Sequence, residues 1–72
     1  MCNAVYLLFR DGRQRDLLSA HETEAGAKEA MEREVDYWRN HGARIEERSK
    51  GYVVRFGTNI EYYYVSSRTI EK

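Results

Sequence analysis

The sequence predicts one α+β domain spanning residues 1–72, in which a single amphipathic helix packs on an antiparallel β-sheet of four to five strands, in the order ββαβββ. Three observations predict this class. β-Branched and aromatic residues are concentrated towards the two ends of the chain, an apolar repeat of helical period occupies the middle, and glycines separate the segments. A chain of 72 residues is long enough for one domain only.

A β-hairpin is predicted at the start of the chain. Its first strand is the apolar run from Ala4 to Phe9, and Asp11-Gly12 behind it is typical of a two-residue turn. The return arm, from Arg13 to Leu18, is polar before it becomes apolar. This pattern favours a strand at the edge of the sheet.

One helix is predicted from Glu24 to about His41. Thr23 lies directly before the periodic stretch and is favoured over Ser19 as the N-cap, while Gly42 can adopt the left-handed conformation that ends a helix. Its core stripe recurs every three or four residues and consists of Ala27, Met31, Val35 and Trp38. Two i,i+4 ion pairs are expected on the outer side, Glu24 with Lys28 and Glu29 with Arg33.

A three-stranded meander is predicted after the helix. Ala43 to Arg48 forms its first strand, Lys50-Gly51 makes the turn, and the two remaining arms run from Tyr52 to Phe56 and from Ile60 to Val65. The polar segment Ser66 to Lys72 is expected to be a frayed tail.

The turn between the last two arms decides which side chains share a face of the sheet. A three-residue loop, Gly57-Thr58-Asn59, places on the helix side the pairs Phe56 with Ile60, Val54 with Tyr62, and Tyr52 with Tyr64. The opposite side then carries Val65 and the pairs Arg55 with Glu61 and Val53 with Tyr63. Tyr6 and Leu8 join that opposite side if Val5, Leu7 and Phe9 face the helix.

One helix about 27 Å long covers only part of such a sheet, so an apolar and aromatic face is expected to lie open. Tyrosine and arginine are enriched at interface hot spots, which favours contact with a protein partner or a second copy. The predicted partner-binding residues are Tyr6, Leu8, Arg10, Arg13, Arg15, Val53, Arg55 and Tyr63. The alternative is a monomer in which arginine stems or the tail fold over this face.

Charge and composition exclude several classes of function. Twelve basic and twelve acidic residues give no global field that would attract nucleic acid or a membrane, and the longest apolar run is far shorter than the ~20 residues that span a bilayer. Cys2 is the only cysteine, so no intramolecular disulfide forms and a cytoplasmic protein is expected. His21 and His41 lie at opposite ends of the helix, which predicts no metal site, and nothing indicates a cofactor.

Enzymatic activity is not expected, because the sequence has no convergent acid, base and nucleophile. Removal of Met1 would expose Cys2 as an N-terminal nucleophile, but nothing nearby predicts an oxyanion hole. The helix carboxylates would imitate a phosphate backbone only if they were unpaired. Lys28, Arg33 and Arg39 between them predict an ordinary solvated face.

Nucleic-acid binding is the alternative function. Arg10, Arg13 and Arg15 lie near the tip of the first hairpin, where a β-ribbon would reach phosphates, and Tyr63 would offer a free ring for stacking bases. Asp11 and Asp16 dilute this charge.

In length, balanced charge and order of elements, the whole chain resembles the small inhibitors that phages and mobile elements encode against bacterial immunity, anti-CRISPR proteins especially. The resemblance is one of architecture, and no functional residue is carried over by position. It implies a compact surface that binds a nuclease effector complex in a bacterial host cell and blocks target access or a conformational change.

Overall fold

The computed structural model describes residues 3–70, which form a five-stranded antiparallel sheet with one helix on one side. The α+β class and the order ββαβββ are confirmed. The elements in chain order are β1 Asn3–Asp11, β2 Arg15–His21, α1 Glu24–Asn40, β3 Arg44–Glu47, β4 Gly51–Phe56 and β5 Asn59–Ile70.

The strands lie side by side in the order β2-β1-β5-β4-β3, which makes β5 the central strand. β5 has 12 residues and β4 has 6, so β5 continues beyond the start of β4 and pairs there with β1 alone. Residues 66–70, expected to be a frayed tail, instead extend the sheet opposite residues 3–7. The expectation of a frayed tail was wrong because these residues pair with β1. Residues 71 and 72 lie outside the described part of the chain.

The helix begins where the sequence predicts it. Thr23 is the N-cap with an extended backbone, and its hydroxyl accepts a hydrogen bond from the amide of Gly26 at 3.0 Å. The helix ends at Asn40, and Gly42 follows in the left-handed region with φ of +88°. Both predicted i,i+4 ion pairs form on its outer side.

The core lies between the helix stripe and one face of the sheet. Ala27, Met31 and Val35 are buried, and Trp38 packs against the cluster as a partly buried residue. The predicted stripe is therefore confirmed. From the sheet, the buried apolar residues are Leu8, Val54 and Tyr63. Burial of these large side chains supplies most of the stability that one helix on one sheet can gain.

The β4–β5 turn has two residues rather than the predicted three. Phe56 pairs with Asn59, and Gly57 adopts a positive φ of +64° that other residues reach at a cost. A two-residue turn with glycine first matches the twist of a hairpin. The pairs are consequently Val54 with Glu61 and Tyr52 with Tyr63, so every β5 side chain points to the face opposite the predicted one.

The first hairpin also differs from the expected turn. Asp11 pairs with Arg15 around the three-residue loop 12–14, and the register shifts between Leu8 and Phe9. Leu8 pairs with Ser19 and Phe9 pairs with Leu17, which leaves an extra residue in β2. This irregularity lies on an edge strand, where a bulge discourages pairing with another chain.

We predict that Gly51→Ala destabilises the fold by about 2 kcal/mol or more, because overpacking at a fixed backbone is costly. A Cβ at this position would lie 1.8 Å from the backbone oxygen of Tyr63. The measurement is urea unfolding followed by circular dichroism.

Gly57→Ala is the matched control, since a Cβ there meets nothing within 4 Å and only the positive φ opposes it. Its expected cost is about 1 to 2 kcal/mol. A Gly51→Ala variant as stable as wild type would contradict the close approach of β4 and β5.

Candidate functional site

The side of the sheet opposite the helix exposes a continuous apolar and aromatic surface, which we call the open face. Alternation along the paired strands assigns its members. Leu17 and Ile60 are each 55% exposed, and the other members are half-buried by their neighbours alone. The apolar and aromatic residues of the open face are Val5, Leu7, Phe9, Leu17, Val53, Ile60, Tyr62 and Tyr64.

The structure divides the predicted partner-binding residues between the two sides. Val53 and Arg55 lie on the open face as predicted. Tyr6, Leu8 and Tyr63 lie on the helix side, where Leu8 is 1% exposed and Tyr63 is fully buried. Their predicted place on the open face is wrong, because the register of β5 differs by one residue from the expected one and because Val5, Leu7 and Phe9 of β1 face away from the helix.

Aromatic rings form a ladder across the middle of the open face. Phe9 stacks on Tyr64 with ring centroids 5.3 Å apart, and Tyr64 stacks on Tyr62 at 5.1 Å. The guanidinium of Arg15 lies over the other side of this row, 4.9 Å from the centroid of Phe9. The flat faces of the rings therefore contact one another, and the ring edges point outward.

Arginines outnumber carboxylates around the ladder, since alternation places Arg15, Arg44, Arg55 and Arg68 on the open face against Asp11 and Glu46. One row of paired residues crosses all five strands in the order Arg15, Asp11, Tyr62, Val53 and Glu46. At its β3 end, the carboxylate of Glu46 accepts hydrogen bonds from Arg48 at 2.9 Å and from Arg55 at 3.3 Å. On the open face, the β2 edge of the sheet therefore carries Arg15, and the β3 edge carries Glu46 paired with two arginines.

The arginines of the first hairpin point in different directions. Arg10 lies on the helix side, where it contacts Asp16 at 3.0 Å and Glu61 at 3.5 Å. The hydrogen bond that Arg10 donates to Asp16 raises the pKa of Arg10 and lowers the pKa of Asp16. Arg13 is exposed in the loop, and Arg15 is on the open face. The predicted basic tip is therefore not assembled as one cluster.

A groove of about 770 Å³ lies on the helix side between the tips of the two hairpins. Its walls include Trp38 and Phe56 on one side and the Arg10 ion pairs on the other. These cations and carboxylates neutralise each other. The groove therefore offers no concentrated charge to a small ligand.

The histidines make local hydrogen bonds. Ser19 Oγ lies 2.7 Å from Nε2 of His21, and Nδ1 of His41 lies 2.7 Å from the carbonyl oxygen of Tyr37. Among residues 3–70, no group of histidine, cysteine, aspartate and glutamate residues has an arrangement that would hold a metal ion. Cys2, which the sequence analysis considered and set aside as a nucleophile, lies outside the described residues.

The acidic side of the helix is paired with its own cations. Besides the two i,i+4 pairs, Asp36 accepts a hydrogen bond from Arg39. This arrangement agrees with the solvated face that the sequence predicts. Within the described part of the chain, no helix is both long and apolar enough to cross a membrane.

Two tyrosines tie the helix to the sheet through their hydroxyls. The Nε1–H of Trp38 donates to the hydroxyl of Tyr63 at 2.9 Å, and the hydroxyl of Tyr52 donates to Glu32 at 2.5 Å. Burial raises the pKa of Tyr63, and the bond to Glu32 raises that of Tyr52. These contacts fix the helix over β4 and β5 and leave the other side of the sheet uncovered.

Sequence reasoning missed every apolar and aromatic residue of the open face except Val53, including the three ladder residues Phe9, Tyr62 and Tyr64. The available signal was Gly57, because a glycine as the first of two turn residues sets the register that exposes Tyr62 and Tyr64.

Comparisons with protein-family models, with curated proteins and with solved structures find no match to this chain.

We predict that alanine substitutions at two adjacent tyrosines lower the stability by very different amounts. Tyr63→Ala should lose roughly 3–5 kcal/mol of stability, because it empties a fully buried site, whereas Tyr64→Ala should lose about 1 kcal/mol of stacking. Urea unfolding of both variants provides the measurement. If Tyr64→Ala unfolds the domain while Tyr63→Ala does not, β5 has the opposite register.

Alkaline pH should weaken the fold. The raised pKa values of Tyr52 and Tyr63 mean that the folded state favours neutral phenols. Their contribution is complete below the unfolded pKa of about 10 and is lost as pH rises through the folded values. The unfolding free energy should therefore fall above about pH 10, and less steeply in a Tyr52→Phe/Tyr63→Phe double variant. If the unfolding free energy of the double variant falls as steeply with pH as that of the wild type, Tyr52 and Tyr63 do not cause the fall. Tyr37→Phe, at an exposed tyrosine, is the control.

Proposed function

We propose that this protein is a non-enzymatic binding protein of the cytoplasm, which acts as an inhibitor or adaptor by docking a protein partner on its open face. The aromatic ladder carries this proposal. Three stacked rings with neighbouring Leu7, Leu17 and Val53 make an apolar patch at the centre of a sheet that the helix does not cover. A large apolar patch of this kind on a small protein is typical of an interface.

The ring geometry favours a protein over a nucleic acid. Base stacking requires a flat ring face, but Phe9 lies between Arg15 and Tyr64, and Tyr64 lies between Phe9 and Tyr62. Only the outer side of Tyr62 remains for a base. Ring edges, hydroxyls and aliphatic groups are contacts that a protein surface can complement.

The charges support the same choice. Nucleic-acid affinity comes mainly from phosphate contacts, which need several cations acting together. Here Arg10 is committed to Asp16 and Glu61, while Arg55 is committed to Glu46. Arg15 lies over the ring of Phe9 and Arg13 is exposed in the loop, so the first hairpin does not present its arginines to phosphates as one cluster.

The resemblance to anti-CRISPR proteins supports one class of partner, a nuclease effector complex in a bacterial cell. A rigid sheet face can block such a complex by occupying the surface that its target or its moving domain needs. This mechanism requires no catalytic group in the inhibitor, and the polar groups of residues 3–70 described above are engaged in structural pairs.

Tyr64→Ala is expected to reduce capture of the partner about 30-fold, corresponding to at least ~2 kcal/mol, because it removes the middle ring of the ladder. Tagged wild-type and variant proteins are incubated with nuclease-treated bacterial lysate, and bound proteins are quantified by mass spectrometry. Tyr37→Ala is the matched control, since Tyr37 is 54% exposed on the helix.

Equal capture by wild type and Tyr64→Ala would contradict docking on the open face. Retention of nucleic acid in untreated lysate, with a steep loss as salt rises, would favour the nucleic-acid alternative instead. In that case Arg13→Ala should weaken retention and Tyr64→Ala should not.

A further inference from the structure

We propose that one edge of β5, along residues 65–70, binds an extended acidic peptide of a protein partner as an additional strand of the sheet. The position of this added strand, which we call the slot, continues the line of β4 beyond its first residue, Gly51. The proposal goes beyond the proposed function, because it concerns the edge of the central strand rather than the open face.

The two neighbours of β5 accompany different parts of it. The pairing of β4 with β5 stops at Tyr64, whereas that of β1 continues to Ile70. Among the strands of the described chain, residues 65–70 therefore have only β1 as a neighbour. At about 3.4 Å per residue, this segment is about 20 Å long, which is the length of an ordinary strand.

The β3–β4 hairpin shows which backbone groups of β5 face the slot. The amide and the carbonyl oxygen of Gly51 both bond to Arg48, so they point towards β3 and away from β5. The hydrogen bonds between β4 and β5 therefore belong to the next pair, Tyr52 with Tyr63. In agreement, the carbonyl oxygen of Tyr63 lies so close to Gly51 that a Cβ there would be 1.8 Å from it.

Alternation from Tyr63 directs the backbone groups of Val65, Ser67 and Thr69 into the slot, while Ser66 and Arg68 direct theirs to β1. Within residues 3–70, no strand lies on the slot side of these three residues, and no turn or loop bonds to their amides or carbonyls. A row of unpaired amides and carbonyls is the template to which an extended peptide adds as a strand.

The slot is a cleft rather than a bare edge. Its volume is about 490 Å³, and its walls combine Val65 and Ser67 with Tyr6 of β1, Lys28 of the helix and Lys50 of the β3–β4 turn. The beginning of the helix thus borders one side of the cleft, and the β3–β4 turn closes one end. A peptide strand in this position would pack against the helix as β4 does.

The charges at the slot favour an acidic peptide. Lys50 and Arg68 form no ion pair with another described residue, and Lys28 is balanced by Glu24 at 3.7 Å. Three cations against one carboxylate attract a strand that carries glutamate or aspartate. A second copy of β5 is disfavoured, because antiparallel pairing over this segment would place Arg68 opposite or diagonal to its own counterpart.

Amide hydrogen exchange followed by NMR tests the slot residue by residue. The probe is a capped peptide of about seven residues in which threonine alternates with glutamate, and the control peptide has lysine in place of glutamate. In the free protein, the amides of Val65, Ser67 and Thr69 should exchange freely, whereas β1 protects those of Ser66 and Arg68. The acidic peptide should slow exchange at the first three roughly tenfold or more, and at the other two much less.

Two variants separate the contributions of charge and backbone. Arg68→Glu should weaken binding of the acidic peptide roughly tenfold and strengthen binding of the lysine peptide, because it reverses a charge beside the slot. Ser67→Pro removes an amide that faces the slot but none that bonds to β1, so it should weaken binding while circular dichroism shows a folded sheet. Arg13→Glu, in the exposed loop of the first hairpin, is the control for a general effect of charge.

The proposal is overturned if the amides of Val65, Ser67 and Thr69 are already protected in the free protein, and protection that rises with protein concentration would identify a second copy as the cover. It is also overturned if the acidic peptide does not slow their exchange, if the lysine peptide slows it equally, or if Arg68→Glu binds the acidic peptide as well as wild type does. Failure of the proposed function would show differently, as lysate capture that Tyr64→Ala does not change.

Discussion

The register between β4 and β5 is the constraint on which the rest of the structure depends. It is set by a two-residue turn in which Gly57 has a positive φ, and it places Tyr63 opposite Tyr52 with both side chains towards the helix. Tyr63 then becomes the largest fully buried side chain and accepts the hydrogen bond of Trp38. The position of the helix thus follows from the conformation of one glycine two strands away from it in sequence.

The same register creates the surface as well as the core. Because side chains alternate along a strand, burying Tyr63 requires that Tyr62 and Tyr64 point to the other side. Three consecutive tyrosines therefore divide between two tasks, one in packing and two in the ladder with Phe9. A mutation that alters the turn would exchange the buried and exposed tyrosines together, so the core and the open face are coupled through backbone geometry.

The helix and the strands could be predicted from the sequence, but the side of the sheet to which each strand residue points could not. The helix, its Thr23 cap and its stripe follow from local signals, because an apolar residue every three or four positions allows one orientation only. A strand with apolar residues on both sides carries no such signal, since Tyr62 and Tyr63 suit either face equally. The register of β5 depended on a one-residue difference in turn length, which carried Tyr63 to the wrong side. Tyr6 and Leu8 were misplaced separately, by the assumption that Val5, Leu7 and Phe9 face the helix. The ladder required distances between strands that sequence spacing does not give.

The first and the central strands of this sheet come from opposite ends of the chain. β1 pairs with β5 over nine residues, from Asn3 opposite Ile70 to Asp11 opposite Tyr62. Contacts between such distant segments close late and slow the folding of a small domain. During synthesis, β1 and β2 would leave the ribosome as a hairpin with an unpaired inner edge, and the sheet would have no centre until β5 emerged. Folding of this domain is therefore expected to wait for the synthesis of β5, and the apolar first strand needs protection until β5 arrives.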